Sequence, residues 1–173
     1  MNRVIFKKTK LLKDLQEGGL VPANYPSYGT KMSMGLDMRA VTNGLHITIP
    51  AGETVMVGTG LHAQGMYEKA SWDDADATNI IASGVAPVLL PRSGKGAKGL
   101  VLGNLVGLID PDYKDEVKMC LYNRTDKPIT VECGERVAQL CFIPMVQVDP
   151  VIVDALDEVD SDRDGGFGHT GTK

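Results

Sequence analysis

The stretch Asn104-Leu-Val-Gly-Leu-Ile-Asp-Pro-Asp-Tyr-Lys-Asp-Glu-Val-Lys-Met-Cys-Leu-Tyr122 carries two signals at once. Its second half alternates, with Val117, Met119 and Leu121 on one side and Lys118, Cys120 and Tyr122 on the other, the period of two of a half-buried strand. Its first half ends in a carboxylate, Asp110, followed by a Pro-Asp turn and Tyr113. The pattern predicts a hairpin that presents one acid and one ring at its bend. Gly107, three residues before Asp110, leaves room for a ligand to approach the backbone. Taken alone, an Asp-rich bend is as readily a solvated turn as a site.

Outward from this stretch the chain is a series of short alternating runs bounded by Gly or Pro. Residues 3–8 open a strand, followed by Leu45–Ile49, Thr54–Val57, Ile129–Val131 and Val137–Ile143, with Met145–Val153 closing the series. In Val137–Ile143, strict alternation puts Val137, Gln139, Cys141 and Ile143 on one face. Leu11, Leu12, Leu15 and Leu20 recur at near-helical spacing before Gly18-Gly19, consistent with a short helix. Strands this short and frequent predict an all-β barrel or sandwich. Residues 65–84, acidic and holding the sole Trp, fit neither period and read as a surface insertion with a helical turn or two.

Composition narrows the classes. A chain of 173 residues has room for one domain with a real core. A net charge of −4 argues against bulk binding to a nucleic-acid backbone. No run approaches the roughly 18 apolar residues of a membrane span, and the polar N-terminus carries no signal-peptide core. A cytoplasmic protein is expected, in the host cytoplasm if the source is a virus. Cys120, Cys133 and Cys141 form no Cys-x-x-Cys pair and read as reduced thiols on strands. His46, His62 and His169 lie too far apart for zinc-type spacing.

Four further segments carry chemistry-bearing residues. Pro91-Arg92-Ser93-Gly94 follows an apolar run and offers a charged fork, a hydroxyl and a glycine N–H to a phosphate, yet Lys95 and Lys98 stand in no P-loop pattern. Met34–Ala40 sets Asp37 among apolar residues, where it is either satisfied by a buried partner or turned toward a cation. Gly134–Leu140 contains a Glu135-Arg136 surface pair and Gln139, a polar strand residue. The Gly-rich end, with Arg163, Phe167, His169 and Thr170, is either a disordered tail or a flexible arm that orders over a phosphate-bearing aromatic ligand.

In this order and with these identities, Met34–Ala40, Pro91–Gly94, Gly107–Tyr113, Gly134–Leu140 and Gly165–Gly171 resemble the five signature segments of the trimeric dUTP pyrophosphatases, closest to the bacterial branch. The resemblance runs from about Pro22 to the end, leaving out residues 65–84. It implies a single jelly-roll-like β-barrel domain whose C-terminal arm, 161–173, closes on a neighbouring subunit's site, within a homotrimer of shared active sites. It implies hydrolysis of dUTP to dUMP and pyrophosphate with Mg²⁺, which keeps uracil out of DNA and supplies dUMP for thymidylate synthesis.

Residue by residue, the resemblance makes Asp110 the general base toward a water attacking the α-phosphorus, and Tyr113 the platform under the deoxyribose. Leu108, Ile109 and Lys118, with Asn104, would read uracil. Arg92, Ser93, Gly94 and Gln139 would hold phosphates, and Asp37 would reach Mg²⁺ through water. Phe167 would cover the base, with Arg163, His169 and Thr170 near the γ-phosphate. Four departures stand out: Lys114-Asp115 where the family has a Gly, Met34 for a small residue, Lys95 for an apolar one, and a spacing from Arg163 to Phe167 one residue short. The competing readings are a dCTP deaminase-like enzyme, which would carry Gly-Phe in place of Asp112-Tyr113, and a dUTP-gated regulatory binding protein using residues 65–84.

Overall fold

The computed structural model describes residues 4–69 and 80–155. Strand β1 (Ile5–Lys8) is followed by helix α1 (Lys10–Glu17), then β2 (Ser27–Tyr28), β3 (Leu36–Arg39), β4 (His46–Ile49) and β5 (Thr54–Gly58). Next come β6 (Leu61–Gln64), β7 (Met66–Lys69), β8 (Ile80–Pro91) and the short helix α2 (Ser93–Ala97). Strands β9 (Leu100–Leu102), β10 (Gly107–Leu108), β11 (Lys118–Asn123), β12 (Ile129–Glu132) and β13 (Arg136–Val148) complete the order. The all-β expectation holds.

Pairing is antiparallel throughout the described strands. One sheet runs β10-β8-β13-β3-β2 with β7 against β8, a second runs β5-β11-β9, and β12-β4 and β1-β6 are two-stranded. Between them lies one core that includes Met38, Leu89, Met119, Leu121 and Leu140. The alternation read in β11 is seen as burial: Val117, Met119 and Leu121 are at most 1% exposed. Helix α1 starts where Thr9 Oγ1 accepts from the Leu12 N–H at 3.2 Å, a capping bond that satisfies one of the first-turn donors. It buries Leu12 against Gly60, where any Cβ would overlap the leucine. Leu20, counted above with the helical positions, falls beyond the helix and is exposed.

The predicted hairpin is not formed by β10 and β11. β11 pairs with β5 and β9, while β10 crosses to the other sheet and pairs with β8, Gly107 opposite Leu89. The period of two fixes which face a side chain takes but not which strand lies alongside. Residues 103–117 are therefore the long connection of a β9–β11 pair, pinned midway to β8. Gly107 is buried against β8, where a Cβ would stand 3.2 Å from Leu89 Cβ.

Two other readings change. The ends of 65–84 are strands: β7 pairs with β8 from Met66↔Val85 to Lys69↔Ala82, and β8 pairs there with β13. Backbone pairing, not apolar periodicity, makes them strands; residues 70–79 lie outside the described residues. The closing runs Val137–Ile143 and Met145–Val153 are largely one strand, β13, which continues through Pro144 to Val148. Beyond Leu140 its second neighbour, β3, has ended, and a proline's missing N–H is tolerated on such an edge.

Leu140 is fully buried in β13, opposite Leu36 on one side and Leu89 on the other. Leu140→Ala is expected to lower unfolding stability by about 2–5 kcal/mol through lost transfer energy and a cavity that the flanking strands cannot close. Urea unfolding at one fixed protein concentration reads this as a shifted midpoint.

Candidate active site

The 103–117 connection places the acid. Ile109 N–H donates to Pro87 O at 3.0 Å, carrying the chain on from β10, and Tyr113 N–H then donates to Asp110 O at 3.1 Å to close the bend. Asp110 is left exposed at a cleft of about 790 Å³, lined on this side by Leu108, Ile109, Asp110, Pro111 and Asp112. Gln64–Met66, Ser83, Gly84 and Met145–Gln147 form its other walls. Asn104, Tyr113 and Lys118 are exposed but are not among its lining residues. The Tyr113 hydroxyl donates to Glu116 O at 3.1 Å, which ties the ring to the strand end that follows the bend.

A second cleft, of about 820 Å³, gathers the cationic set. Arg92 is the residue before α2, and its carbonyl accepts from Lys95 and Gly96 N–H, so the segment continues into a short helix. Ser93 and Gly94 lie exposed on the cleft wall. Asp37, 8% exposed, receives Arg92 Nε at 3.0 Å and Arg136 Nη1 at 3.1 Å, one guanidinium on each carboxylate oxygen. Of the two readings left open for Asp37, the partnered one is the observed one. Gln139, opposite Asp37, donates Nε2–H to Pro91 O at 3.1 Å. Gly35 lies close beside it: a Cβ there would stand 2.7 Å from Gln139 Oε1, so a larger residue would shift that amide.

Arg39 adds a third guanidinium. Burial lowers its pKa, the nearby charge of Arg136 lowers it further, and Asp37 opposes both. Two arginines on one carboxylate, with a third close by, leave excess positive charge, which suits a polyanion.

Arg136 was missed in the sequence because Glu135 looked like its partner. Glu135 instead pairs with Lys95. A β-bulge between Arg136 and Ala138 sets Arg136 opposite Arg39, the position strict alternation gives to Val137, and so swings it to the Asp37 face. The core face of this strand is accordingly Ala138, Leu140 and Phe142, with Val137 also buried. The only sequence signal was the Gly134 turn just upstream.

The two clefts share no lining residue. Arg163, Phe167, His169 and Thr170 lie outside the described residues. Cys120, Cys133 and Cys141 are free and partly buried.

The chain is antiparallel and all-β, with an exposed acid on one cleft and an arginine-rich pocket on another whose charge suits a polyanion. Residues 74–171 match the family model described as dUTPase. The chain is 44% identical over 149 residues to the deoxyuridine 5'-triphosphate nucleotidohydrolase of Shewanella piezotolerans, covering 86% of this chain and 87% of that one. With its counterpart from Shewanella baltica the identity is 45% over 150 residues. The dUTPase of Streptococcus mutans superposes with a TM-score of 0.58 at 28% identity, over 84% of this chain and 98% of that one. A dUTPase of Staphylococcus bacteriophage 80alpha, solved with dUpNHpp, reaches a TM-score of 0.72 over 99% and 100% of the two chains; at 18% identity this is a likeness of fold. The chain belongs to the dUTPase family.

Proposed function

We propose that this protein hydrolyses dUTP to dUMP and pyrophosphate at sites completed between the subunits of a homotrimer. One observation carries the shared site: the acid and the phosphate-binding arginines line separate clefts with no residue in common. Asp110, exposed at its cleft, takes a proton from a water as that water attacks the α-phosphorus. The bond from the α-phosphorus to its bridging oxygen breaks, and pyrophosphate leaves. Arg92, Ser93, Gly94 and Gln139 of a second subunit neutralise and align the phosphates, which is most of what phosphoryl transfer needs. Leu108 and Ile109, with Asn104 and Lys118, read uracil. A thymine methyl is excluded by overlap, and cytosine leaves buried groups unpaired at about 1–3 kcal/mol each. Tyr113 leaves no space for a 2′-hydroxyl. Arg163, Phe167, His169 and Thr170 of a third subunit close over the nucleotide.

The residues present fit a magnesium ion that arrives with the triphosphate. Among the described residues no group of three His, Cys, Asp or Glu is placed to hold a metal, and each oxygen of Asp37 already faces an arginine. In this reading Asp37 would contact the ion through a water rather than ligate it directly, in keeping with magnesium's retained hydration. The ion's contribution when bound is neutralisation of phosphate charge. We place the enzyme in the cytoplasm; no helix among the described residues is long and apolar enough to cross a membrane.

Purified protein with Mg²⁺ is expected to release pyrophosphate from dUTP and to leave dCTP and UTP essentially untouched. Ammonia from dCTP would point to deamination instead, and intact dUTP would refute the reading.

A further inference from the structure

Glu116 has been given no role above, yet it is where the turn bearing Asp110 and Tyr113 is tied down. This chain has Lys114-Asp115 in place of the glycine that the family resemblance leads one to expect there, and the turn is fastened by contacts to residues 59–62 instead. The Gly60 N–H donates to Glu116 Oε1 at 2.6 Å. Thr59 donates both N–H and Oγ1–H to Val117 O, at 3.1 and 2.7 Å, and Val117 N–H donates to Leu61 O at 2.8 Å. His62 Nδ1 donates to Lys114 O at 2.8 Å.

The seat of the carboxylate is made by the absence of a side chain. A Cβ on Gly58 would overlap Glu116 Oε1 and stand 3.1 Å from its Cδ. The other end of Glu116 faces the site: its carbonyl accepts the Tyr113 hydroxyl at 3.1 Å, and Tyr113 N–H in turn holds Asp110 O at 3.1 Å. A charge-assisted bond at one end of the turn is thus linked, through two further hydrogen bonds, to the ring and the acid.

We propose that Glu116 is a positioning residue: its carboxylate, seated over Gly58 on the Gly60 amide, sets where Asp110 and Tyr113 stand, and with that both the rate of attack and the rejection of a 2′-hydroxyl. The proposal rests on the roles given above to Asp110 and Tyr113. Displacement of a reacting group by about 1 Å costs up to roughly 10²-fold in rate. Glu116→Ala is therefore expected to lower kcat on dUTP by about 10- to 100-fold and to narrow the preference for dUTP over UTP. Glu116→Gln, which keeps an oxygen acceptor for the Gly60 N–H, restores both.

Gly58→Ala expels the carboxylate from its seat and is expected to reproduce the Glu116→Ala kinetics. The double variant is then no worse than the poorer single one, whereas two independent faults would multiply. A folded Glu116→Ala protein with wild-type kcat and wild-type selectivity overturns the proposal, as do failure of Gln to rescue and multiplying effects in the double variant. Should Glu116→Ala not fold, the Gln and Gly58→Ala proteins decide: Gln must match wild type, and Gly58→Ala must lose both rate and selectivity. An unchanged Glu116→Ala enzyme beside an inactive Asp110→Asn enzyme refutes this proposal alone; an active Asp110→Asn enzyme removes the reading beneath it.

Discussion

Asp110→Asn is expected to lower kcat on dUTP by about 10²–10⁴-fold, the range a positioned general base contributes. The amide has nearly the same shape and can still orient a water, but it cannot take its proton at neutral pH. Asp110 is exposed and makes no side-chain ion pair among the described residues, so the substitution leaves no buried partner stranded and the fold is preserved. Binding of dUTP is expected to stay within about threefold of wild type, because the interaction removed is one made chiefly in the transition state. Single-turnover kinetics and calorimetric titration with dUTP read the two quantities separately. Retained turnover would remove Asp110 from the chemistry.

Two inactive variants are expected to restore one another when co-expressed. Arg92→Ala removes a guanidinium proposed to bind phosphate and leaves Asp37 still paired with Arg136, so this loss too is local. It is expected to cost about 10²–10³-fold, the scale of deleting one aligned charge-stabilising donor. If each site takes Asp110 from one subunit and Arg92 from the next, a site is intact when an Arg92→Ala subunit supplies the acid and an Asp110→Asn subunit supplies the arginine. Random assembly at equal amounts makes about a quarter of sites whole. Active-site titration of the co-expressed mixture checks this fraction. If both groups served within one subunit, mixing would restore nothing, and the separation of the clefts would need another account.

The residues proposed to bear the chemistry were legible because the proposal rests on their identity. Asp110, Tyr113, Arg92, Ser93, Gly94 and Gln139 were all named from the chain, and the structure sets Asp110 on one cleft and Arg92, Ser93, Gly94 and Gln139 on the other. Arg136 and Glu116 were not legible as site residues. The first faces Asp37 only because a bulge breaks the alternation of β13, and the role proposed for the second rests on Gly58 and Gly60, far away in the chain, which make its seat. The hairpin expected within Asn104–Tyr122 failed for a related reason: β10 found its partner in β8, not in the strand that follows it.

By itself the sequence determined the all-β class, the alternation that buries Val117, Met119 and Leu121, the end of α1 at its glycine pair, and the family. Each of these follows from local periodicity, backbone freedom or residue identity, which act over a few neighbouring positions. Only the tertiary structure decided which strands pair, where β13 bulges, that Asp37 is held between two arginines, and that acid and arginines line different clefts. Those outcomes depend on which distant segments share a hydrogen-bond ladder and a core, and packing of the whole chain settles that choice.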